Sequence, residues 1–337
     1  MRKTYNNLFS SIFTKENLYL AYEDAKKGKR KKREVFEFGV NLVANIEDLH
    51  NRIHTDSYFP DPYYIFTVSE PKPREIYAPS FRDIVVQHAI YRIIYSIFNS
   101  TFISTSFACR KGYGTHKCTD KAQRYMRACD GEEYYHQLDI RKFFSNIDRD
   151  ILRVLIEKKI KDMRLVDIMM MFTGKDKGIP IGNLLSQLYA LIYLNSLDHF
   201  VKENLRIKKY IRYVDDFVIF GVSRLQCKYY KDLIVNFLKD LKLELSKFNI
   251  KKIRKGINFV GYRTWKNKRF IRKYTLYKFF RAVRSGKRLT LASIIGHSFR
   301  TSSLRYMLYY LFRCYFSGDV KKILCFVFKR IASISYT

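Results

Sequence analysis

The chain has 337 residues, and 64 Lys and Arg residues against 31 Asp and Glu residues give it a formal net charge of +33. A hydrophobic content of 47% excludes an intrinsically disordered chain, and the lack of any run of about 18 apolar residues argues against a membrane span. The six cysteines include no C-x-x-C pair, so we expect reduced thiols rather than a zinc site or a disulfide framework. So large a charge favours nucleic acid as the partner, with an anionic membrane surface second.

The first 100 residues predict helices, then strands, then another helix. Residues 1–55 have a helical pattern with a basic run, KKGKRKKR, at 26–33, for which a phosphate contact and simple solubility are both open interpretations. Prolines cluster between residues 60 and 79 and separate the pieces YYIFTVSE and REIYAP, which predicts strands joined by stiff turns. Residues 82–100 place apolar side chains at helical spacing.

Further along the chain, the strand YYHQLDI begins at Tyr134, and a long helix begins near Asn183. The stretch YIRYVDDFVIF, residues 210–220, reads as a buried β-hairpin and is followed by a predicted helix at 225–241. The last 70 residues predict basic helices. Basic residues occur in all of these segments, so the charge is not confined to a tail.

Acidic residues interrupt two of the apolar strands. Asp215 and Asp216 stand side by side at the turn of the predicted hairpin, and Asp139 ends the strand that begins at Tyr134. Aspartate is common in turns, but Asp-Asp without glycine places like charges together at a cost, which indicates a bound cation. Carboxylates brought together suit Mg²⁺, and two such ions can stabilise the attacking and leaving oxygens of phosphoryl transfer. The sequence therefore predicts metal-assisted phosphoryl transfer on a nucleic acid.

These residues carry a resemblance to reverse transcriptases. Residues 213–216, YVDD, resemble the YxDD box of that family, and Asp139 in LDIRKFF is similar to its first metal-binding aspartate. The resemblance implies that Asp139, Asp215 and Asp216 are catalytic. It also implies that Asp139, Asp215 and the backbone of Ile140 hold two Mg²⁺ ions, with Mn²⁺ as an alternative ion. A primer 3′-hydroxyl would then attack the α-phosphate of a dNTP.

The resemblance also implies the contacts to dNTP and template. Lys72 and Arg74 match the basic finger residues that meet the incoming triphosphate and the template base. Phe144 matches the aromatic steric gate that excludes a ribose 2′-hydroxyl, and the Ile140 backbone touches the triphosphate. Tyr213, in the YVDD box, belongs to the same set.

The residues around Ile181 and Gln187 indicate a subgroup within the family. Most bacterial reverse transcriptases have Gln and Pro where this chain has Ile181 and Gln187, and in this block the chain resembles the enzymes of diversity-generating retroelements. Enzymes of that group copy a template RNA, misincorporate opposite adenines and work with a small basic accessory protein. Because Ile181 lacks the polar atoms of Gln, we expect a less constrained nascent base pair and lower fidelity. The chain ends at Thr337 without a maturase, endonuclease or protease segment, so we do not expect a self-splicing-intron partner.

The fold implied by the resemblance is α+β, the right-hand polymerase fold. Residues 1–55 would form a basic helical N-terminal segment, 56–132 the fingers, 133–265 the palm with finger helices interleaved near 150–190, and 266–337 a basic helical thumb. The expected partners are a template or noncoding RNA, a DNA or RNA primer, the cDNA product and dNTPs. An accessory protein or a homo- or hetero-oligomer is expected beside them, and a membrane is not. We expect a cytoplasmic protein, encoded by a bacterium or a phage.

Other functions stay open at this point. An antiphage-defence reverse transcriptase that copies a noncoding RNA would share the palm motifs. An RNA-binding, chaperone-like relative would use the basic surface alone, although three clustered aspartates argue against it. A two-metal primase or nuclease has no motif of its own in this chain, and membrane binding is the weakest alternative.

Overall fold

The computed structural model of the chain describes residues 3–69, 73–174 and 177–314. The N-terminal segment is helical, as predicted, and consists of α1 (Leu8–Ile12), α2 (Lys15–Ala25), α3 (Arg33–Val40) and α4 (Leu42–His54). Thr14 begins α2 by accepting a hydrogen bond from the backbone N–H of Asn17. α2 packs along α5 (Phe81–Asn99), which fixes the N-terminal helices to the rest of the molecule.

The proline-rich region forms an antiparallel hairpin of β1 (Tyr64–Val68) and β2 (Arg74–Ala78). β1 is exposed along its whole length, so the hairpin projects from the body of the molecule. Its base is held by a hydrogen bond of 2.8 Å from the Tyr77 N–H to the carbonyl oxygen of Ile181. The hairpin is therefore tied to the loop that precedes the long helix predicted near Asn183.

A four-stranded antiparallel sheet forms the palm. Its order is β4 (Tyr210–Tyr213), β5 (Asp216–Val222), β3 (Tyr134–Ile140) and β6 (Leu245–Lys252). Successive side chains of a strand face opposite sides of the sheet. Leu138 and Ile140 of β3 are buried in the main apolar core, whereas Asp139 between them faces the other side and is partly exposed.

Helices lie between and behind these strands: α6 (Thr115–Arg127), α7 (Phe143–Asn146), α8 (Arg149–Glu157), α9 (Met163–Met171), α10 (Leu184–His199) and α11 (Arg224–Asp240). α10 is apolar on nearly all sides and is accordingly buried for most of its length. Asn183 caps its first turn, and a π-helical turn, Phe200–Asn204, continues it. α11 starts with a reciprocal capping box of Ser223 and Gln226.

A second small sheet and three helices follow the palm. The sheet consists of β7 (Ile257–Phe259), β8 (Tyr262–Thr264) and β9 (Arg269–Ile271), and the helices are α12 (Lys273–Arg284), α13 (Arg288–Ser298) and α14 (Ser303–Cys314). The helices enclose an apolar core of their own around Phe279, Leu291 and Met307. The region predicted as the thumb thus contains helices up to Cys314, and residues 315–337 lie outside the described residues.

Two features differ from the sequence-based expectation. No strand is predicted at β6, because LSKFNIKK carries three lysines and little apolar alternation, yet it pairs with β3 as an edge strand. α6 falls within the predicted fingers but packs against the palm strands β4 and β5. Among the described residues, no helix combines the length and apolar character needed to cross a membrane.

Candidate active site

The three aspartates singled out by the sequence lie together at one end of the palm sheet. In the antiparallel pairing of β3 with β5, Asp139 stands directly opposite Asp216. Asp215 is the second residue of the two-residue turn between β4 and β5. Its carbonyl oxygen accepts a hydrogen bond of 3.2 Å from the Ile140 N–H. Asp216 is thus the first residue of β5, whereas the sequence had placed it in the turn.

The turn that carries Asp215 is anchored by a buried ion pair. Val214 has a left-handed backbone with φ of 58°, an unfavourable conformation for a β-branched residue. Arg212 donates from Nη1 to the Val214 carbonyl at 2.9 Å and from Nε to Asp198 at 2.7 Å. Asp198, on α10, also accepts a hydrogen bond from the Tyr210 hydroxyl at 2.8 Å. Because both charged side chains are fully buried, the pair fixes the turn to α10.

Two polar side chains orient the remaining carboxylates. Gln137 Nε2 donates to both carboxylate oxygens of Asp216, at 3.0 and 3.1 Å. Ser246 Oγ donates to Asp139 Oδ2 at 2.6 Å. Gln137 shares β3 with Asp139, and Ser246 comes from the edge strand β6. The palm sheet therefore supplies both the acids and the groups that position them.

Burial and the charges of neighbouring carboxylates raise the pKa values of Asp215 and Asp216. Burial is the largest cause for Asp216, and the nearby charges of Asp139 and Asp215 add to it against the Gln137 hydrogen bond, so the pKa of Asp216 rises to about 7. The pKa of Asp215 is also raised, mainly by burial and by Asp139, while Arg74 and Arg212 oppose the rise. The protein thus compensates the negative charge of this cluster only in part.

The donor set fits a divalent cation. Mg²⁺ prefers oxygen ligands and is usually bound by one or two carboxylates, with water and substrate phosphates completing its coordination. Within the described residues, no three His, Cys, Asp or Glu side chains form a complete metal site. Asp139 and Asp215 could hold an ion only together with such outside ligands. Ile140 offers its backbone alone, because its side chain is buried in the core.

The basic finger residues are placed unequally with respect to this cluster. Arg74 is the first residue of β2, and its charge lies near enough to Asp215 to lower the pKa of that carboxyl. Lys72 lies outside the described residues. The structure therefore brings one of the two predicted triphosphate contacts to the site.

Phe144 lies in α7, directly after β3, and its position depends on a distant loop. Its carbonyl oxygen accepts a hydrogen bond of 2.9 Å from the Ile179 N–H. Gly178 has φ of 85°, and a Cβ at that position would lie 2.5 Å from the same oxygen. The close approach of these two backbones requires glycine and fixes the backbone of the predicted steric gate to the loop at Gly178.

The remaining predicted contacts differ in their surroundings. Ile181 is half-buried, and its carbonyl oxygen is held by Tyr77 of the finger hairpin. Tyr213 precedes the turn, pairs with Asp216 across the hairpin and has a pKa raised mainly by burial. Gln187 is exposed on α10, and its side chain forms no hydrogen bond within the part of the chain that the structure describes.

Several residues that shape the site were not found from the sequence. Gln137 had a usable signal, since a residue two positions before Asp139 in a strand must face the same side. Ser246 had none, because its strand was not predicted. The contact between Arg212 and Asp198 joins residues 14 positions apart in the chain, and it depends on how α10 packs beneath the hairpin.

Comparisons with known proteins agree with this geometry. Residues 70–264 match the reverse transcriptase (RNA-dependent DNA polymerase) family. Group II intron-encoded protein LtrA of Lactococcus lactis subsp. cremoris is 30% identical over 170 residues, covering 46% of this chain and 28% of that protein. Protein YkfC of Escherichia coli K12 is 24% identical over 298 residues, covering 72% of this chain and 75% of that protein.

Among solved structures, telomerase from Candida albicans in complex with a fragment of telomeric RNA superposes with a TM-score of 0.51. The superposition has 11% identity and covers 80% of this chain and 57% of that one, and it confirms the right-hand α+β fold. The chain spans little more than a quarter of LtrA, and the likeness to diversity-generating enzymes stays a prediction. Because the family match extends over more than half of the residues, the chain belongs to the reverse transcriptase family.

Proposed function

We propose that the chain is an RNA-directed DNA polymerase that extends a primer on a template RNA. The observation that carries the proposal is the placement of Asp139 opposite Asp216, with Asp215 in the adjoining turn. Raised carboxyl pKa values are typical of sites that receive a charged ligand. The net charge of +33 suits a chain that encloses a nucleic acid.

The side chains around the cluster have distinct parts in this reaction. Divalent ions bound at Asp139 and Asp215 would supply positive charge that stabilises phosphoryl transfer. Gln137 orients the Asp216 carboxylate through both of its oxygens. Arg74 places a positive charge on the finger side of Asp215, where it would stabilise the negative charge on the phosphates of an incoming nucleotide.

Primer extension tests the proposal. The substrate is a DNA primer annealed to an RNA template, with dNTPs and Mg²⁺, and the variants are Asp215→Asn and the matched control Asp240→Asn. Asp240 is exposed at the end of α11. We expect the control to extend the primer at the wild-type rate and Asp215→Asn to lose about a thousandfold or more, as when a transition-state contact is removed.

Two outcomes would contradict the polymerase assignment. One is extension by Asp215→Asn at the wild-type rate. The other is RNA binding by a wild-type protein that incorporates no nucleotide, which would favour the chaperone-like alternative.

We further propose that copying is error-prone, as in a diversity-generating retroelement with a small accessory protein. The support is local: Ile181 offers no polar side-chain atom, and its backbone is fixed to the finger hairpin by Tyr77. Ile181→Gln should lower misincorporation opposite template adenine, measured by sequencing of cDNA made in vitro. An unchanged error rate at every template base would remove this argument.

Sequencing the cDNA made at the native locus distinguishes the diversity-generating proposal from the antiphage-defence alternative. Copies of a repeat beside a target gene, altered at adenines, would support the diversity-generating proposal. Accurate copies of a noncoding RNA that appear on phage infection would instead support the antiphage-defence alternative.

A further inference from the structure

A basic cleft lies on the face of the palm sheet opposite the acidic cluster. It runs between α11 and the edge strand β6, has a volume of about 810 Å³ and is lined in part by Tyr134, Phe248 and Ile250. Tyr134 and Asp139 are five positions apart in β3 and face opposite sides of the sheet. At ~3.3 Å per residue their separation along the strand is roughly 17 Å. A primer–template in the groove of Asp139 therefore leaves this cleft free.

The cleft carries far more positive charge than its own residues neutralise. Lys252 and Arg254 share Glu132, at 2.5 and 2.9 Å. Five further lining cations form no ion pair within the described residues: Arg224, Lys228, Lys231, Lys251 and Lys255. The acidic residue on the cleft wall is Asp232. Like charges concentrated in this way repel one another unless an anion lies between them.

An aromatic surface accompanies the charge. The Phe248 side chain is 54% exposed, although it stands in a strand of the palm. The Lys231 ammonium lies 4.3 Å from the centre of its ring. Cations interleaved with an exposed aromatic ring form a surface that holds phosphates and allows a nucleobase or ribose to stack. A concave wall of this kind fits a rod-like polyanion better than it fits a flat lipid surface.

We propose that the α11–β6 cleft binds a base-paired segment of RNA outside the stretch being copied. The contacts would be made to phosphates and ribose and would carry no sequence preference, since A-form RNA is recognised largely by its shape and backbone. The protein would then hold one RNA at two places, with the copied strand in front of the palm sheet and a folded segment behind it.

The test compares two triple variants with equal loss of charge. Arg224→Gln/Lys228→Gln/Lys255→Gln removes three exposed cations of the cleft. The control Lys158→Gln/Lys161→Gln/Lys239→Gln removes three exposed lysines elsewhere. The probe is a blunt RNA duplex of about 16 base pairs, a length that one double-stranded RNA module spans. It is titrated into protein preloaded with a short RNA–DNA primer–template. Unchanged primer extension by both variants shows that they are folded.

We expect the cleft variant to bind the duplex with an affinity lower by about tenfold or more. The slope of log affinity against log salt concentration should become shallower by about two, as expected for the loss of three phosphate contacts. The control variant should bind as the wild type does. Equal duplex affinity and salt slope in the wild type and the cleft variant would overturn the proposal. So would an unchanged duplex affinity with lost sedimentation on phosphatidylserine vesicles, a result that would assign the cleft to an anionic lipid surface.

Discussion

Replacing Arg212 with methionine separates the stability of the palm from the positioning of its catalytic turn. Arg212→Met leaves the Asp198 carboxylate fully buried, with the Tyr210 hydroxyl as its remaining side-chain hydrogen-bond donor. Removing one partner of a buried ion pair typically costs about 3–5 kcal/mol. We therefore expect the free energy of unfolding to fall by that amount, as measured by urea denaturation followed by circular dichroism.

The double variant Arg212→Met/Asp198→Leu removes both charges together. A buried ion pair replaced by apolar side chains of similar volume is often close to neutral, and the Tyr210 hydroxyl loses one acceptor, worth about 1 kcal/mol. Stability should return to within about 2 kcal/mol of the wild type. The hydrogen bond to the Val214 carbonyl, 2.9 Å in the wild type, stays absent.

Activity should therefore stay low in the double variant although its stability is restored. A hydrogen bond from a charged donor is worth about 1.5–3 kcal/mol, which corresponds to roughly 10- to 100-fold in the rate of single-nucleotide incorporation. A stable double variant with the wild-type rate would show that the turn at Val214 needs no anchor. A single variant within about 1 kcal/mol of the wild type would refute the role of Arg212 as the partner of a buried charge.

Three further predictions concern other parts of the palm. Burial lowers the pKa of His136 to about 4, so the unfolded chain takes up the proton first and stability should fall as the pH drops from about 6.5 towards 4, by about 2 kcal/mol at pH 5. His136→Leu should abolish this component of the urea-denaturation profile, and a variant profile parallel to that of the wild type would contradict it. Gly178→Ala should cost about 2–4 kcal/mol through its left-handed backbone and its contact with the Phe144 carbonyl, and thermal unfolding at the wild-type temperature would disprove that contact. Phe144→Val should raise incorporation of ribonucleotides over deoxyribonucleotides by about 10- to 100-fold, and an unchanged ratio would remove Phe144 as the gate.

Elements with a strong local signal were predicted well from the sequence. β3, the β4–β5 hairpin and α11 begin and end within about two residues of their predicted positions, and α10 begins one residue after its predicted start. Each has an apolar run or a capping residue that can be recognised in the sequence alone, such as Asn183 at the start of α10. The approach of Asp139 to Asp216 could also be inferred from the sequence, because an acid in an apolar strand costs free energy unless it binds a ligand.

Other parts of the site depend on contacts that no local pattern contains. β6 has a mostly exposed sequence, and it becomes a strand because β3 offers an unpaired edge. Ser246, which donates to Asp139, is positioned only by that pairing. The exact turn was missed for a related reason: register with β3 places Asp216 in the strand and leaves the strained φ to Val214.

Arginine suits position 212 because one guanidinium group satisfies two separate hydrogen-bonding requirements. The turn needs a donor for the Val214 carbonyl, and the buried Asp198 needs a cation that covers both of its oxygens. A lysine is a single point charge, whereas the planar fork of arginine can donate in both directions at once. Its charge also opposes the rise in the pKa of Asp215. A buried ion pair contributes little net stability, so Arg212 and Asp198 are better explained by the geometry that they impose on the acidic turn.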